Sequence, residues 1–199
     1  MFIFSATCHE AAHALAAKLG GDDTAYAAGQ VSLNPVPHIQ REPVGMVVIP
    51  AISFFLSGSM IGWASAPYDP YWAARHPKRA ALMALAGPSA NLALFLVGIA
   101  CMHAVLFFGA DLGPEMLEFL GRFSEIFATL NLLLFVFNMI PVPPLDGAEI
   151  ILLFFPEHRA EEIRHKLRGM GMIGFLVVFL VFPKIFSVVQ RVAFTIFGF

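Results

Sequence analysis

The chain has 199 residues, of which 58% are hydrophobic and 13% charged, and its mean hydropathy is +0.76. Soluble domains carry about 25% charged residues, so this composition excludes a water-soluble globule and predicts an integral membrane protein. A formal net charge of −2 offers no basic surface for a nucleic-acid partner, and the two cysteines lack the spacing of a disulfide framework or a thiolate metal site.

Apolar stretches recur along the whole chain and predict an all-α polytopic membrane protein of one domain, residues 1–199. A membrane helix needs roughly 20 mostly apolar residues, and we expect about four to six membrane segments. Residues 20–79 are predicted to form a loop or re-entrant region. The apolar stretches are Met1–Leu19, Val44–Trp63, Ala80–Ala110, Ile126–Phe155 and Met170–Phe199.

The first stretch contains three ionisable side chains, His9, Glu10 and His13. On a helix, histidines four residues apart project from one face and can bind one zinc ion, with Glu10 beside the metal to accept a proton from water. The alternative is a pair of helix-packing histidines with Glu10 in a polar seam. Only eight residues precede His9, which is short for a first membrane helix and favours a natural start farther upstream.

A catalytic zinc needs a third protein ligand, and Asp146 is the candidate because it is the only aspartate inside an apolar stretch. Pro141, Pro143 and Pro144 precede it and exclude a continuous helix. Backbone broken in this way is tolerated at membrane depth where protein or a wet cavity satisfies it. A proline kink with a capping aspartate is the alternative. We expect a second interruption at Pro183, which makes the last stretch a kinked span or two shorter pieces.

The polar connections are predicted to be short. They cover Gly20–Pro43, Ala64–Arg79, Asp111–Glu125 and Pro156–Gly169. Within the first of them, His38 is expected to be a solvated loop histidine, with a place at the mouth of the site as the alternative.

Several motifs, in order, resemble those of the site-2 proteases, which are intramembrane zinc metalloproteases, and most closely their compact bacterial branch without PDZ domains. The likeness covers about residues 5–155. The expected catalytic core is about residues 1–155, and residues 170–199 are expected to form a C-terminal membrane segment. The matching motifs are His-Glu-x-x-His at His9–His13, Gly-Pro-x-x-Asn at Gly87–Asn91, and Asn-x-x-Pro-x-Pro-x-Leu-Asp-Gly at Asn138–Gly147.

The resemblance implies an enzyme with one zinc ion per chain that cleaves a transmembrane protein substrate within the lipid bilayer. It implies that His9, His13 and Asp146 bind the zinc and that Glu10 is the general base. The residues that it implies for holding an extended substrate are Asn138, Pro141 and Pro143. Asn91 has two interpretations: a hydrogen bond to the substrate or to zinc-bound oxygen, or a link between two helices.

Two other functions are compatible with a membrane-embedded group of ionisable residues: an inactive scaffold and a zinc transporter. An inactive membrane scaffold is disfavoured because all four residues, His9, Glu10, His13 and Asp146, are present. A zinc transporter is disfavoured because its acidic and histidine residues should follow a path across several spans, whereas here they cluster.

The distribution of loop cations predicts the topology. If Val44–Trp63 enters and leaves on the same side, every cation of the loops except Arg122 falls on one side, which the positive-inside rule makes cytoplasmic. We therefore expect a multi-pass protein of the plasma membrane, with a re-entrant Val44–Trp63 and the active site toward the cytoplasm. A full crossing of this stretch is the alternative.

Overall fold

The computed structural model describes residues 1–58 and 62–199, and within these ranges the secondary structure is helical, with no strand. A π-helical turn, Val44–Val48, leads directly into α4, and 3₁₀ turns follow α6 and α8 and precede α9. The α-helices are α1 (Phe2–Leu19), α2 (Thr24–Ala27), α3 (Pro35–Arg41), α4 (Ile49–Ser57), α5 (Pro70–Arg75), α6 (Pro77–Phe108), α7 (Pro114–Asn138), α8 (Gly147–Ile150) and α9 (Ala160–Ile196).

Proline determines where several of these helices begin. Asp69 accepts a hydrogen bond from Tyr71 N (2.8 Å) immediately before α5, whose first residue is Pro70. Two of the long helices, α6 and α7, likewise begin at Pro77 and Pro114. Proline suits the first turn because the N–H that it lacks would have no intrahelical partner there.

Among the residues that the structure describes, three helices are long and apolar enough to cross a membrane: Pro77–Asp111, Pro114–Asn138 and Ile173–Ile196. A fourth candidate combines α3 with Val44–Leu56, two pieces that meet at 110°, as in a broken span or a re-entrant loop. Residues 59–61 of the predicted second stretch lie outside the described residues. The prediction of an all-α polytopic membrane protein is confirmed.

The core of the bundle lies where α6, α7 and α9 meet, and its buried members are apolar: Phe95, Ile99, Ala128, Leu132, Phe182 and Phe186. Gly98 permits the close approach of α6 to α7, because a Cβ at this position would lie 2.8 Å from the Ala128 Cβ. Small residues at such a crossing are common in membrane helices, where packing rather than the hydrophobic effect drives association. This contact sets α7 beside the part of α6 that borders the candidate site.

The prediction of a polar connection over Asp111–Glu125 is wrong, because α7 already begins at Pro114. Hydropathy marks the apolar part of a helix and not its first residue. The polar beginning of α7 includes an ion pair one helical turn apart, Glu118 with Arg122 (2.7 Å).

The predicted interruption at Pro183 is also displaced, since α9 runs through this proline and departs from helical geometry at Gly171 (φ 50°, ψ −153°). That conformation lies in a region that glycine adopts without steric cost. Phe182 and Phe186, on either side of Pro183, are buried against α6 and α7, which favours continuation of the helix. The connection predicted for Pro156–Gly169 is helical from Ala160 onward.

Candidate metal centre

The side chains of His9, His13 and Asp146 converge, although Asp146 lies 137 residues after His9. One potential ligand atom from each lies within 4.8 Å of the other two. Asp146 Oδ2 is 3.1 Å from His9 Nε2 and 3.4 Å from His13 Nε2, and the two Nε2 atoms are 2.9 Å apart. Both histidines are buried. The structure therefore brings together the three residues that the sequence singled out as metal ligands.

Local geometry explains how two distant segments reach one point. His9 and His13 lie four residues apart on α1 and so project from one face. Asp146 stands at the start of α8, directly after the proline-rich break. Gly147 makes that reversal possible, because a Cβ there would lie 2.5 Å from the carbonyl oxygen of Met139.

The outer nitrogens of both imidazoles donate hydrogen bonds to oxygen acceptors. His9 Nδ1 donates to Asn91 Oδ1 (2.6 Å), and His13 Nδ1 donates to the carbonyl of Met83 (2.7 Å). Because both Nδ1 atoms carry the hydrogen, each neutral ring directs an unprotonated Nε2 toward Asp146. Metal-binding histidines are commonly held by such outer hydrogen bonds.

Space for the histidine rings comes from a residue without a side chain. Gly87 of α6 faces both rings, and a Cβ there would lie 2.5 Å from His9 Nε2 and closer still to His13 Nε2. The glycine of the Gly-Pro-x-x-Asn motif thus borders the centre itself.

The donor set fits a zinc ion. Two neutral imidazole nitrogens and a carboxylate oxygen are the kind of ligands that catalytic zinc uses, three from the protein with one position left open. All three atoms are hydrogen-bond acceptors when both rings are neutral, and they lie close enough to repel one another unless a cation is shared among them. The other described residues contain no comparable group of histidine, cysteine and carboxylate ligands.

Glu10 is buried beside His9 in the chain, and its Oε2 has no hydrogen-bond partner among the described residues. A carboxylate oxygen deprived of both water and a donor is costly in a low-dielectric interior. This oxygen therefore lacks a partner that a ligand or a reacting molecule would supply.

The residues expected to hold a substrate lie at the break after α7. Asn138 ends α7, and its Nδ2 donates to Leu134 O of the same helix (3.0 Å). Pro141 is exposed. Pro143 lines a cleft of about 210 Å³ that Glu149 and Arg164 also border.

Asn91 lies inside the helix bundle, where it contacts other side chains and leaves no group free for a substrate. It is fully buried, and both ends of its amide are engaged, Oδ1 with His9 and Nδ2 with Asn131 Oδ1 (3.1 Å). Of the two interpretations of Asn91, this geometry favours the link between helices.

A buried ion pair holds the chain that follows Asp146. Arg164 of α9 donates to both carboxylate oxygens of Glu149 (2.9–3.1 Å) and to the carbonyl of Ala73 (3.2 Å). Burial alone would lower the pKa of Arg164, but the hydrogen bonds and charge of Glu149 outweigh it and raise that pKa. Lys78 donates to the carbonyls of Leu152 (3.0 Å) and Leu153 (2.6 Å), so the first turn of α6 is tied to the same segment.

The expectation of a solvated His38 is wrong. His38 lies on α3 with 2% of its surface exposed, and its Nε2 is 2.9 Å from the carbonyl of Ser32. The short α3 helix folds the side chain inward, which the polar composition of the loop does not reveal.

Sequence reasoning overlooked three residues near the centre: Asn131, Glu149 and Arg164. The signal that found Asp146, a polar side chain inside an apolar stretch, also applies to Asn131 and Glu149. Arg164 carries no such signal, since it lies among other charged residues.

The chain is similar to known zinc metalloproteases over most of its length. The family model described as "Peptidase family M50" matches residues 110–182, which include Asp146. "Putative zinc metalloprotease YwhC" of Bacillus subtilis is 35% identical over 184 residues, which are 90% of this chain and 77% of that protein.

Two mycobacterial relatives are longer than this chain. "Putative zinc metalloprotease Rip2" of Mycolicibacterium smegmatis is 28% identical over 89% of this chain, and Rip2 of Mycobacterium tuberculosis is 31% identical over 90%. The chain spans 62% and 64% of the lengths of these two proteins. No solved structure gives a significant match.

Proposed function

We infer that this chain, a zinc metalloprotease that belongs to peptidase family M50, the site-2 proteases, hydrolyses peptide bonds within or near transmembrane segments of membrane proteins. The observation that carries this proposal is the convergence of His9, His13 and Asp146 beside a buried, unpartnered Glu10. The proposed substrate is a transmembrane protein, and the proposed setting is the lipid bilayer.

The depth of the centre supports hydrolysis inside the membrane. Met83, Gly87 and Asn91 border the two histidines, and all three belong to the candidate span Pro77–Asp111. With a rise of about 1.5 Å per residue, Met83 and Asn91 lie roughly 9 and 21 Å from the start of that helix. A substrate bond must therefore enter the bundle to be cleaved.

We assign His9, His13 and Asp146 as the ligands of one zinc ion per chain. Zinc bound by such a set polarises a carbonyl group and lowers the pKa of water. The outer hydrogen bonds from His9 to Asn91 and from His13 to Met83 hold both rings in the orientation that ligation requires.

Glu10 is assigned as the general base. Its carboxylate accepts a proton from the attacking water and delivers it to the nitrogen of the leaving amine. The same proton is thus removed and returned, and no further acid is needed. Burial of Glu10 excludes bulk water, which would otherwise compete for that oxygen.

Asn138, Pro141 and Pro143 are proposed to bind the substrate in an extended form. A helical substrate hides its carbonyl groups in hydrogen bonds and must unwind before attack. The break between α7 and α8 contains three prolines without N–H groups, Pro141, Pro143 and Pro144, so the backbone here cannot satisfy its own hydrogen bonds as a helix does. The cleft beside Pro143 is a place for a substrate side chain.

The proposed location is the plasma membrane, with the centre toward the cytoplasm. Lys78 and Arg79 lie in the first turn of α6, and Arg75 ends α5 just before that helix, at the end nearer to the two histidines. The other end of α6 carries no Lys or Arg. This asymmetry matches the positive-inside rule. A Tyr71→Cys variant without the native cysteines tests it, because residue 71 is 78% exposed. Labelling from outside intact cells would contradict the orientation.

The decisive experiment compares the wild type with Glu10→Gln on a reporter whose transmembrane helix is the substrate. We expect Glu10→Gln to fold and bind zinc but to lose cleavage, and Glu125→Gln, the same change at an exposed site on α7, to cleave normally. Cleavage by Glu10→Gln at the wild-type rate would refute the role of Glu10. A wild type that binds substrate and never cleaves it would point to a scaffold.

A further inference from the structure

A chain of hydrogen bonds crosses three helices and ends at His9. Asn131 Nδ2 on α7 donates to the carbonyl of Phe127 (2.9 Å), Asn91 Nδ2 on α6 donates to Asn131 Oδ1 (3.1 Å), and His9 Nδ1 on α1 donates to Asn91 Oδ1 (2.6 Å). Both asparagines have no exposed surface. The proposed mechanism gives Asn131 no role.

The orientation of each amide in this series of hydrogen bonds is fixed by its neighbours. A backbone carbonyl only accepts, so the Asn131 amide must turn its NH₂ group toward Phe127 and its oxygen toward Asn91. The Asn91 amide must then turn its NH₂ group toward Asn131 and its oxygen toward His9. An oxygen acceptor at His9 Nδ1 requires the hydrogen on Nδ1 and leaves Nε2 free.

The two histidines differ in how strictly their hydrogen-bond partners fix the tautomer of the ring. His13 faces the carbonyl of Met83, which cannot donate, so its tautomer needs no further support. His9 faces an amide, and an amide rotated by half a turn would offer NH₂ to Nδ1 and move the ring hydrogen to Nε2. That hydrogen would point at Asp146, only 3.1 Å away.

We propose that Asn91 and Asn131 form a positioning relay that holds His9 in its metal-binding tautomer, with Asn131 acting only through Asn91. The inference rests on the proposed function in one respect, the assignment of His9 as a zinc ligand. It gives α7 a part in the metal centre, although no side chain of α7 belongs to the proposed ligand set.

Zinc affinity tests the relay without reference to proteolysis. The full-length protein in detergent is titrated with zinc against a chromophoric chelator. We expect Asn131→Leu, which keeps the branched shape of the side chain but removes the acceptor for Asn91, to weaken zinc binding about 10- to 100-fold, the usual effect of losing an outer partner of a metal ligand. Gln190→Leu is the control, since it removes another hydrogen bond between membrane helices, to Thr129 (3.2 Å), away from His9.

A rescue separates tautomer control from a merely structural link. Asn91→Asp has an acceptor oxygen in either orientation, so its side chain no longer depends on residue 131. We expect Asn91→Asp combined with Asn131→Leu to restore zinc affinity to within about threefold of the wild type. A structural link between α6 and α7 would not be restored, because the bond to residue 131 stays broken.

A second variant keeps the test valid if Asn131→Leu fails to fold. Asn131→Asp still accepts from Asn91 and is expected to bind zinc nearly as tightly as the wild type, whereas Asn91→Leu is expected to bind weakly. Wild-type zinc affinity in folded Asn131→Leu, or no recovery in the double variant, would overturn the relay and leave the protease proposal intact. Normal cleavage by Glu10→Gln would instead count against the proposed mechanism and leave the relay intact.

Discussion

Gly87→Ala tests whether the close approach of α6 shapes the metal centre. A Cβ at this position would lie 2.5 Å from His9 Nε2, and ordinary contact begins at 3.4 Å. The histidine rings must therefore move by about 0.9 Å. They cannot turn away freely, because His9 and His13 are each held at Nδ1 by a hydrogen bond of 2.6–2.7 Å.

A displacement of this size has a predictable effect on metal binding. Disturbing the groups that orient metal ligands typically costs about 10- to 100-fold in metal affinity, so we expect zinc affinity to fall by up to about 100-fold, equivalent to about 2.7 kcal/mol. The metal-free protein should be less affected, since an overpacking cost of about 1–3 kcal/mol is partly offset by the gain of about 1 kcal/mol from alanine in a helix.

The measurement is zinc affinity by chelator competition, with thermal unfolding of the metal-free protein alongside. Gly121→Ala is the matched control, because it replaces another helical glycine where no atom lies within 4 Å of the new Cβ. It should bind zinc as the wild type does. Zinc affinity of Gly87→Ala within about threefold of the wild type would refute the crowding argument.

Three further predictions concern stability. Arg164→Met leaves Glu149 unpaired and should lower the free energy of unfolding by roughly 2 kcal/mol. This is less than the roughly 3–5 kcal/mol of a fully buried pair, because the Glu149 side chain is 32% exposed. Adding Glu149→Leu to Arg164→Met should recover part of the lost stability in thermal unfolding, and no recovery would contradict the role of the ion pair. Burial raises the pKa of Asp22, but hydrogen bonds from Thr24 and Asp69 outweigh it and lower that pKa. Stability from Asp22 is therefore present at neutral pH and lost as the pH falls through its folded-state pKa, so Asp22→Asn should flatten the acid limb of the unfolding midpoint against pH. Zinc removal by a chelator should reversibly lower the thermal unfolding midpoint of the wild type, because a ligand that binds the folded state stabilises it by mass action. The unfolding midpoint of His13→Ala should not change on zinc removal. An unchanged wild-type midpoint would argue against a zinc site in the folded protein.

The membrane class and the helical composition follow from the sequence because they depend on sums over many residues. An apolar stretch of sufficient length predicts a helix whatever surrounds it. Helix ends are less predictable. The beginning of α7 at Pro114 and the deviation at Gly171 depend on proline and glycine geometry together with packing, so the predictions over Asp111–Glu125 and at Pro183 were wrong.

The residues of the candidate site divide in the same way. The shared face of His9 and His13 is dictated by the helical repeat, and the cost of a carboxylate in lipid marks Asp146, although the same cost applies to Glu149. Only the tertiary structure shows that these three side chains meet, that Gly87 borders them and that Asn131 reaches His9 through Asn91. The physical reason is that covalent geometry sets the spacing of neighbours along a helix, whereas the partner of a buried polar group is decided by which helices pack together.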